Sequence, residues 1–130
     1  MSLIRNTKQV RQSIDFTGVE NNKIHPTDID FVLEFDNDIL ILGEVKREGN
    51  HIPLGQKLVL QRMVDRWGDK AIALKVVHSH YDDDTDIPLK DCFVESYYSK
   101  KKWSDLKNRY SLIDFINIIG DRWGNNKCRF

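Results

Sequence analysis

The chain has 130 residues, 20 basic and 20 acidic, for a formal net charge of zero; 40% are apolar and 31% charged. That length suits one domain over residues 1–130, able to bury a core without staples. The balance argues against broad non-specific attraction to nucleic acid, which rides on a basic excess, and the chain lacks an apolar run of about 18 residues, so a transmembrane helix is excluded.

Two cysteines, Cys92 and Cys128, are too few for a disulfide framework and lack metal-ligand spacing. Met1 to Arg11 is polar, where a signal peptide carries an apolar core. A reducing, cytoplasmic setting with no membrane partner is the expectation.

In chain order, residues 3–14 come first. Leu3, Ile4, Val10 and Ile14 stand among polar and basic residues, and the spacing of Val10 and Ile14 predicts a short amphipathic helix. Gly18 marks a break, and Glu20 to Lys23 reads as a polar loop. His25 follows. A histidine there serves as a phosphate contact or proton shuttle, or as an ordinary structural residue.

Pro26 to Lys46 reads as two strands and a tight turn. Ile29 to Phe35 is rich in apolar and aromatic residues. Ile39 to Leu42 is a continuous apolar run, as in a strand covered on both faces. Asp36-Asn37-Asp38 between them tolerates turn backbone angles. A three-residue loop pairs Phe35 with Ile39. Carried outward, that register sets Asp30 opposite Glu44 and Asp28 opposite Lys46, all four on one face.

Two carboxylates directly across a strand pair repel, with Cβ atoms about 5 Å apart. The same separation lets both reach one small cation, with ligand distances of about 2.1 Å for Mg²⁺. A lysine beside them adds positive charge where an anionic substrate would sit. Acid, acid and lysine at a strand end therefore point to metal-assisted phosphoryl transfer. The plain alternative is a solvated surface ion-pair patch of little energetic worth.

Pro53 to Trp67 reads as a helix with Pro53 at its start and Gly68 at its cap. Gln56, Leu60, Met63 and Trp67 fall along one stripe, predicted to be mostly buried. A polar amide on such a stripe needs a partner, unless position 56 is simply exposed in the first turn. Lys57 and Arg62 on this helix serve either as nucleic-acid backbone contacts or as solubilising charges. Gln61 falls with Lys57 and Asp65 on the polar side.

Lys70 to His78 reads as a third strand. His78 and His80 share a strand face, as metal ligands can, and Asp82 to Asp86 is an acidic run read most simply as a solvated loop. Asp91 to Ser99 reads as a fourth strand. Lys100, Lys101 and Lys102 follow, then Trp103, Lys107 and Arg109, with Tyr97, Tyr98 and Tyr110 close by. This segment is either the nucleic-acid contact or a solvated basic turn beside core aromatics. Ser111 to Trp123 reads as a last helix, capped by Ser111 and apolar on most sides, hence deeply buried or half of a homodimer interface.

Asp30, followed by Glu44-Val45-Lys46 closing an apolar strand, resembles the signature of the PD-(D/E)xK (restriction-endonuclease-like) nuclease superfamily. Pro26-Thr27-Asp28-Ile29-Asp30 stands where that family places its first metal-binding Asp, although Thr27 separates Pro26 from Asp28. The likeness spans roughly residues 10–100. It implies an α/β fold with an α-β-β-β-α-β core, a mixed central sheet of about four or five strands flanked by helices. It implies Mg²⁺ or Mn²⁺ and cleavage of DNA phosphodiester bonds, as an endo- or exodeoxyribonuclease akin to small phage-encoded or resolvase-like members.

On that resemblance, Asp30 and Glu44 hold the metal with the Val45 carbonyl, and Lys46 orients the attacking water. Asp28 tunes Lys46 or serves a second metal. Gln56 contacts substrate phosphate or water at the metal. The family often carries a further acid on its first helix, here Glu20 or else Asp15, each equally readable as a surface acid. The rival reading is a non-catalytic nucleic-acid-binding or assembly module that keeps the fold.

Overall fold

The computed structural model describes residues 14–22, 24–79 and 86–130. The helix expected over 3–14 lies outside these, apart from its final residue, as do His80 and residues 82–85 of the acidic run.

Five strands form one sheet in sequence order. They are β1 (Phe31–Phe35), β2 (Ile39–Arg47), β3 (Ala71–His78), β4 (Phe93–Ser99) and β5 (Lys102–Ser111). Helix α1 (Leu54–Trp67) follows β2, and helix α2 (Leu112–Arg122) follows β5. β2 and β3 are parallel and every other pair is antiparallel. A parallel pair needs a crossover, which α1 supplies. This is the expected α/β arrangement, a mixed sheet flanked by helices. Two strands rather than three precede α1 among the described residues, so the element order departs from α-β-β-β-α-β.

The β1–β2 hairpin keeps the expected register, from Phe35↔Ile39 to Phe31↔Gly43. Asp36 and Asn37 take φ of 52° and 62° in its loop, left-handed angles that Asn and Asp tolerate. The ladder stops at Phe31, where the chain bends at Asp30. The expected pairing of Asp28 with Lys46 is therefore not formed as a strand pair, and Asp28 is exposed.

Each face of the sheet carries a core. On one, Ile39 and Ile41 of β2 pack with Ile72, Leu74 and Val76 of β3 beneath Leu112, Phe115, Ile116 and Ile119 of α2. On the other, Leu40, Leu42, Ala71 and Ala73 pack with Leu60 and Val64 of α1 and with Tyr98. Strands covered on both faces have no polar alternation, which is why β3 is buried along its whole length. The buried face of α2 packs on this core. Ser111 caps it, its hydroxyl accepting the Asp114 N–H at 3.1 Å.

Two expectations need correction. Met63 and Trp67 are 40% and 36% exposed, and Val64 is buried in their stead. The supposed polar side of α1 is turned to β4 and β5. The Tyr98 hydroxyl donates to Asp65 Oδ1 at 3.0 Å, and the Trp103 indole donates to Gln61 Oε1 at 3.0 Å. The helix is thus rotated toward the polar handles of two aromatics. The basic segment after Ser99 is a turn over two residues only. Lys100 and Lys101 alone form the turn, with φ of 51° and 71°, and residues 102–111 are an edge strand. Among the described residues no helix is long and apolar enough to cross a membrane.

Candidate active site

The face that carries α1 is apolar along the first half of β2 and turns polar toward its C-terminal end. Leu40 and Leu42 give way to Glu44 and then Lys46 on the same face. Glu44 is buried, at 2% exposure, because α1 covers this side of the sheet. Asp30 sits beside it at the bend before β1. Its Oδ2 accepts the main-chain N–H of Val45 at 2.7 Å, replacing the ladder bond that β1 no longer supplies.

The two carboxyl groups are close enough to share a hydrogen bond when one is protonated. Burial, then the charge of Asp30, pushes the Glu44 carboxyl up to about 7, against the opposing pull of the Lys46 ammonium. An acid poised near neutrality beside a second acid is what a cation-binding or proton-handling site requires. Lys46 itself is half-buried, and no carboxylate lies within ion-pair distance of its ammonium among the described residues.

Two buried side-chain polar atoms lack a hydrogen-bond partner among the described residues, Glu44 Oε1 and Gln56 Oε1. Both are acceptors, and both belong to the set singled out in the sequence. Buried acceptors are nearly always satisfied, so each of these oxygens calls for a donor or a cation. Gln56 lies in the first turn of α1, half-buried, as a site residue there would.

No group of three or more His, Cys, Asp or Glu side chains suited to a metal occurs among the described residues. A cation here would rest on Asp30 and Glu44, with neutral oxygens and solvent completing its shell. That donor set fits Mg²⁺ or Mn²⁺, which take one or two carboxylates and keep several waters. The Val45 carbonyl qualifies as well. A strand residue points its N–H and C=O to the same neighbour, and the Val45 N–H points to Asp30.

Other residues singled out in the sequence stand apart. His25 is exposed, its Nδ1 3.0 Å from the Pro26 carbonyl oxygen. Glu20 is exposed beside the Asn21–Ile24 bridge. Asp15 accepts the Thr17 N–H and hydroxyl, at 2.9 and 2.6 Å, and these bonds hold its carboxyl below the usual range. Lys57 places its ammonium 5.2 Å from the centre of the Trp103 ring, and Lys101 pairs with Asp65 at 3.4 Å. Lys100 and Lys102 line the opposite face of the sheet.

One residue near the site escaped the sequence reading. Lys75 on β3 is the register neighbour of Glu44, is 8% exposed, and donates to Glu95 Oε1 at 2.7 Å. The signal was a charged residue in the middle of the apolar strand Ala-Ile-Ala-Leu-Lys-Val-Val-His. A buried lysine must find a partner.

The site so defined is a buried acid, a flanking acid and an available ammonium at a strand end of an α/β sheet. No family model, no curated protein and no solved structure matches the chain.

Proposed function

We propose that the protein is a metal-dependent nuclease that hydrolyses phosphodiester bonds of DNA, with Asp30, Glu44 and Lys46 at its centre. The observation that carries this reading is Glu44. It is a buried acid raised to about 7, next to Asp30, with one oxygen unpartnered among the described residues. The resemblance of Asp30 and Glu44-Val45-Lys46 to the PD-(D/E)xK signature supports the same reading and supplies DNA as the substrate.

Asp30, Glu44 and the Val45 carbonyl would hold Mg²⁺ or Mn²⁺. The cation would polarise the phosphoryl oxygen and offset its charge. Lys46 orients the attacking water and stabilises the negative charge that develops on the phosphorane oxygens. Gln56 directs its amide toward phosphate or water at the same centre. Water forms the new bond to phosphorus as the bond to the leaving oxygen breaks. With Cys92 and Cys128 buried and unpaired, we place the protein in a reducing, cytoplasmic compartment.

The test is cleavage of plasmid and single-stranded DNA with Mg²⁺ or Mn²⁺, comparing wild type with Glu44→Ala and Lys46→Ala. Loss of about 100-fold or more in either variant is expected, as for removal of a group acting in the transition state. Activity that survives both changes rules out this site as the catalyst. A wild type inactive on every substrate favours the binding-module reading.

A further inference from the structure

A cavity of about 400 Å³ opens on the α2 face of the sheet, away from Glu44. Tyr97, Tyr110, Phe115 and Trp123 line it. Tyr97 and Phe115 have ring centres 5.7 Å apart, and Tyr110 meets Phe115 edge-on at 6.1 Å, so the aromatic wall is fixed by its own packing. Lys100, Lys102 and Arg122 also line the cavity, and among the described residues no carboxylate does.

These three cations differ from six others in the protein. Lys70, Lys75, Lys101, Arg109, Lys127 and Arg129 each pair with an acid. Lys100, Lys102 and Arg122 have no ion-pair partner among the described residues. The turn at Lys100-Lys101 separates the two lysines, sending Lys101 to Asp65 on the α1 side and leaving Lys100 to the cavity. The volume falls within the range of small-molecule sites, about 300–1,000 Å³. Aromatic walls suit a planar ring, and unpaired lysines with an arginine suit a phosphate.

We propose that this cavity binds a nucleotide, its base against the aromatic wall and its phosphate on Lys100, Lys102 and Arg122. The nucleotide is either free or the terminal residue of a single strand. The site is independent of the metal-dependent centre and lies on the other face of the sheet.

The experiment is calorimetric titration without divalent metal, using deoxyadenosine monophosphate, deoxyadenosine, inorganic phosphate, and a short single strand with and without a 5′ phosphate. The monophosphate should bind more tightly than the nucleoside or phosphate alone. Lys102→Gln with Arg122→Gln should weaken it by about tenfold or more, as expected for lost bonds to a charged group. Both side chains are exposed, so the fold tolerates the change. Glu44→Ala should leave binding unchanged, whatever becomes of DNA cleavage. A phosphorylated strand that binds more tightly than the monophosphate identifies a strand end; equal affinity identifies the free nucleotide. No binding of any nucleotide, binding indifferent to the double substitution, or binding lost in Glu44→Ala would overturn the proposal.

Discussion

A Cβ at position 43 would lie 2.0 Å from the ring of Phe31, the residue opposite it on β1. The ring occupies the space that any side chain there would need, so Gly43 lets β1 close against β2 one residue before Asp30 meets Glu44. Gly43→Ala should therefore destabilise the protein by about 2 kcal/mol through overpacking. Adding Phe31→Leu should recover part of that loss, a coupling that a double-mutant cycle in urea reads directly. Additive losses would show that the ring and the glycine do not constrain each other.

Stability should fall as pH rises from about 4.5 to about 7. The ordinary value for a glutamate is 4.5, and in the folded protein Glu44 is raised to about 7. Below the lower value the acid is neutral in both states. Between the two, only the unfolded chain loses its proton, and stability drops. Above about 7 the folded protein carries the buried charge, at a cost of about 3 kcal/mol. Chemical unfolding without metal at pH 5 and pH 8 should show this difference, and Glu44→Gln should remove most of it. A wild-type profile as flat as the variant's would contradict the placement of Glu44.

Metal affinity should run the other way. A carboxyl that holds its proton near pH 7 must release it to take a cation. Binding of Mn²⁺, followed by calorimetry, should tighten by up to about tenfold between pH 6 and pH 8 and release protons in the acidic half of that range. Affinity independent of pH would mean the cation avoids Glu44.

Gln56 should trade stability for function. Its Oε1 is buried without a partner among the described residues, which costs on the order of 1–3 kcal/mol. Gln56→Met should raise the unfolding free energy by about 1 kcal/mol and lower the DNA cleavage proposed for this site. A variant both less stable and fully active would return Gln56 to a structural role.

Glu95→Gln should expose what Lys75 needs. The ammonium is almost enclosed, while the Glu95 side chain is 42% exposed, so solvent screens part of the loss. A destabilisation of about 2 kcal/mol is expected, and Lys75→Met in the same background should restore much of it by removing the stranded charge. Thermal unfolding of the single and double variants decides the point.

The hairpin was legible because its determinants are local. Asp36-Asn37-Asp38 fixes a three-residue loop, the loop fixes Phe35 against Ile39, and a period of two carries that register outward as far as Phe31 and Gly43. The buried runs of β2 and β3 and the Ser111 cap were legible for the same reason, since pattern and neighbour lie within a few residues. What could not be read depends on partners far along the chain. α1 is turned by Tyr98 and Trp103, which expose Met63 and Trp67. β5 pairs with β4 despite its charge, because an edge strand keeps one side in water. Lys75 reaches the side of Glu44 only because a crossover makes β3 parallel to β2, and no local pattern encodes the register of two strands joined through a helix. Local pattern was enough to group Asp30, Glu44 and Lys46 as a candidate set. How deeply Glu44 is buried depends on the packing of distant segments over β2, and burial is what moves its proton.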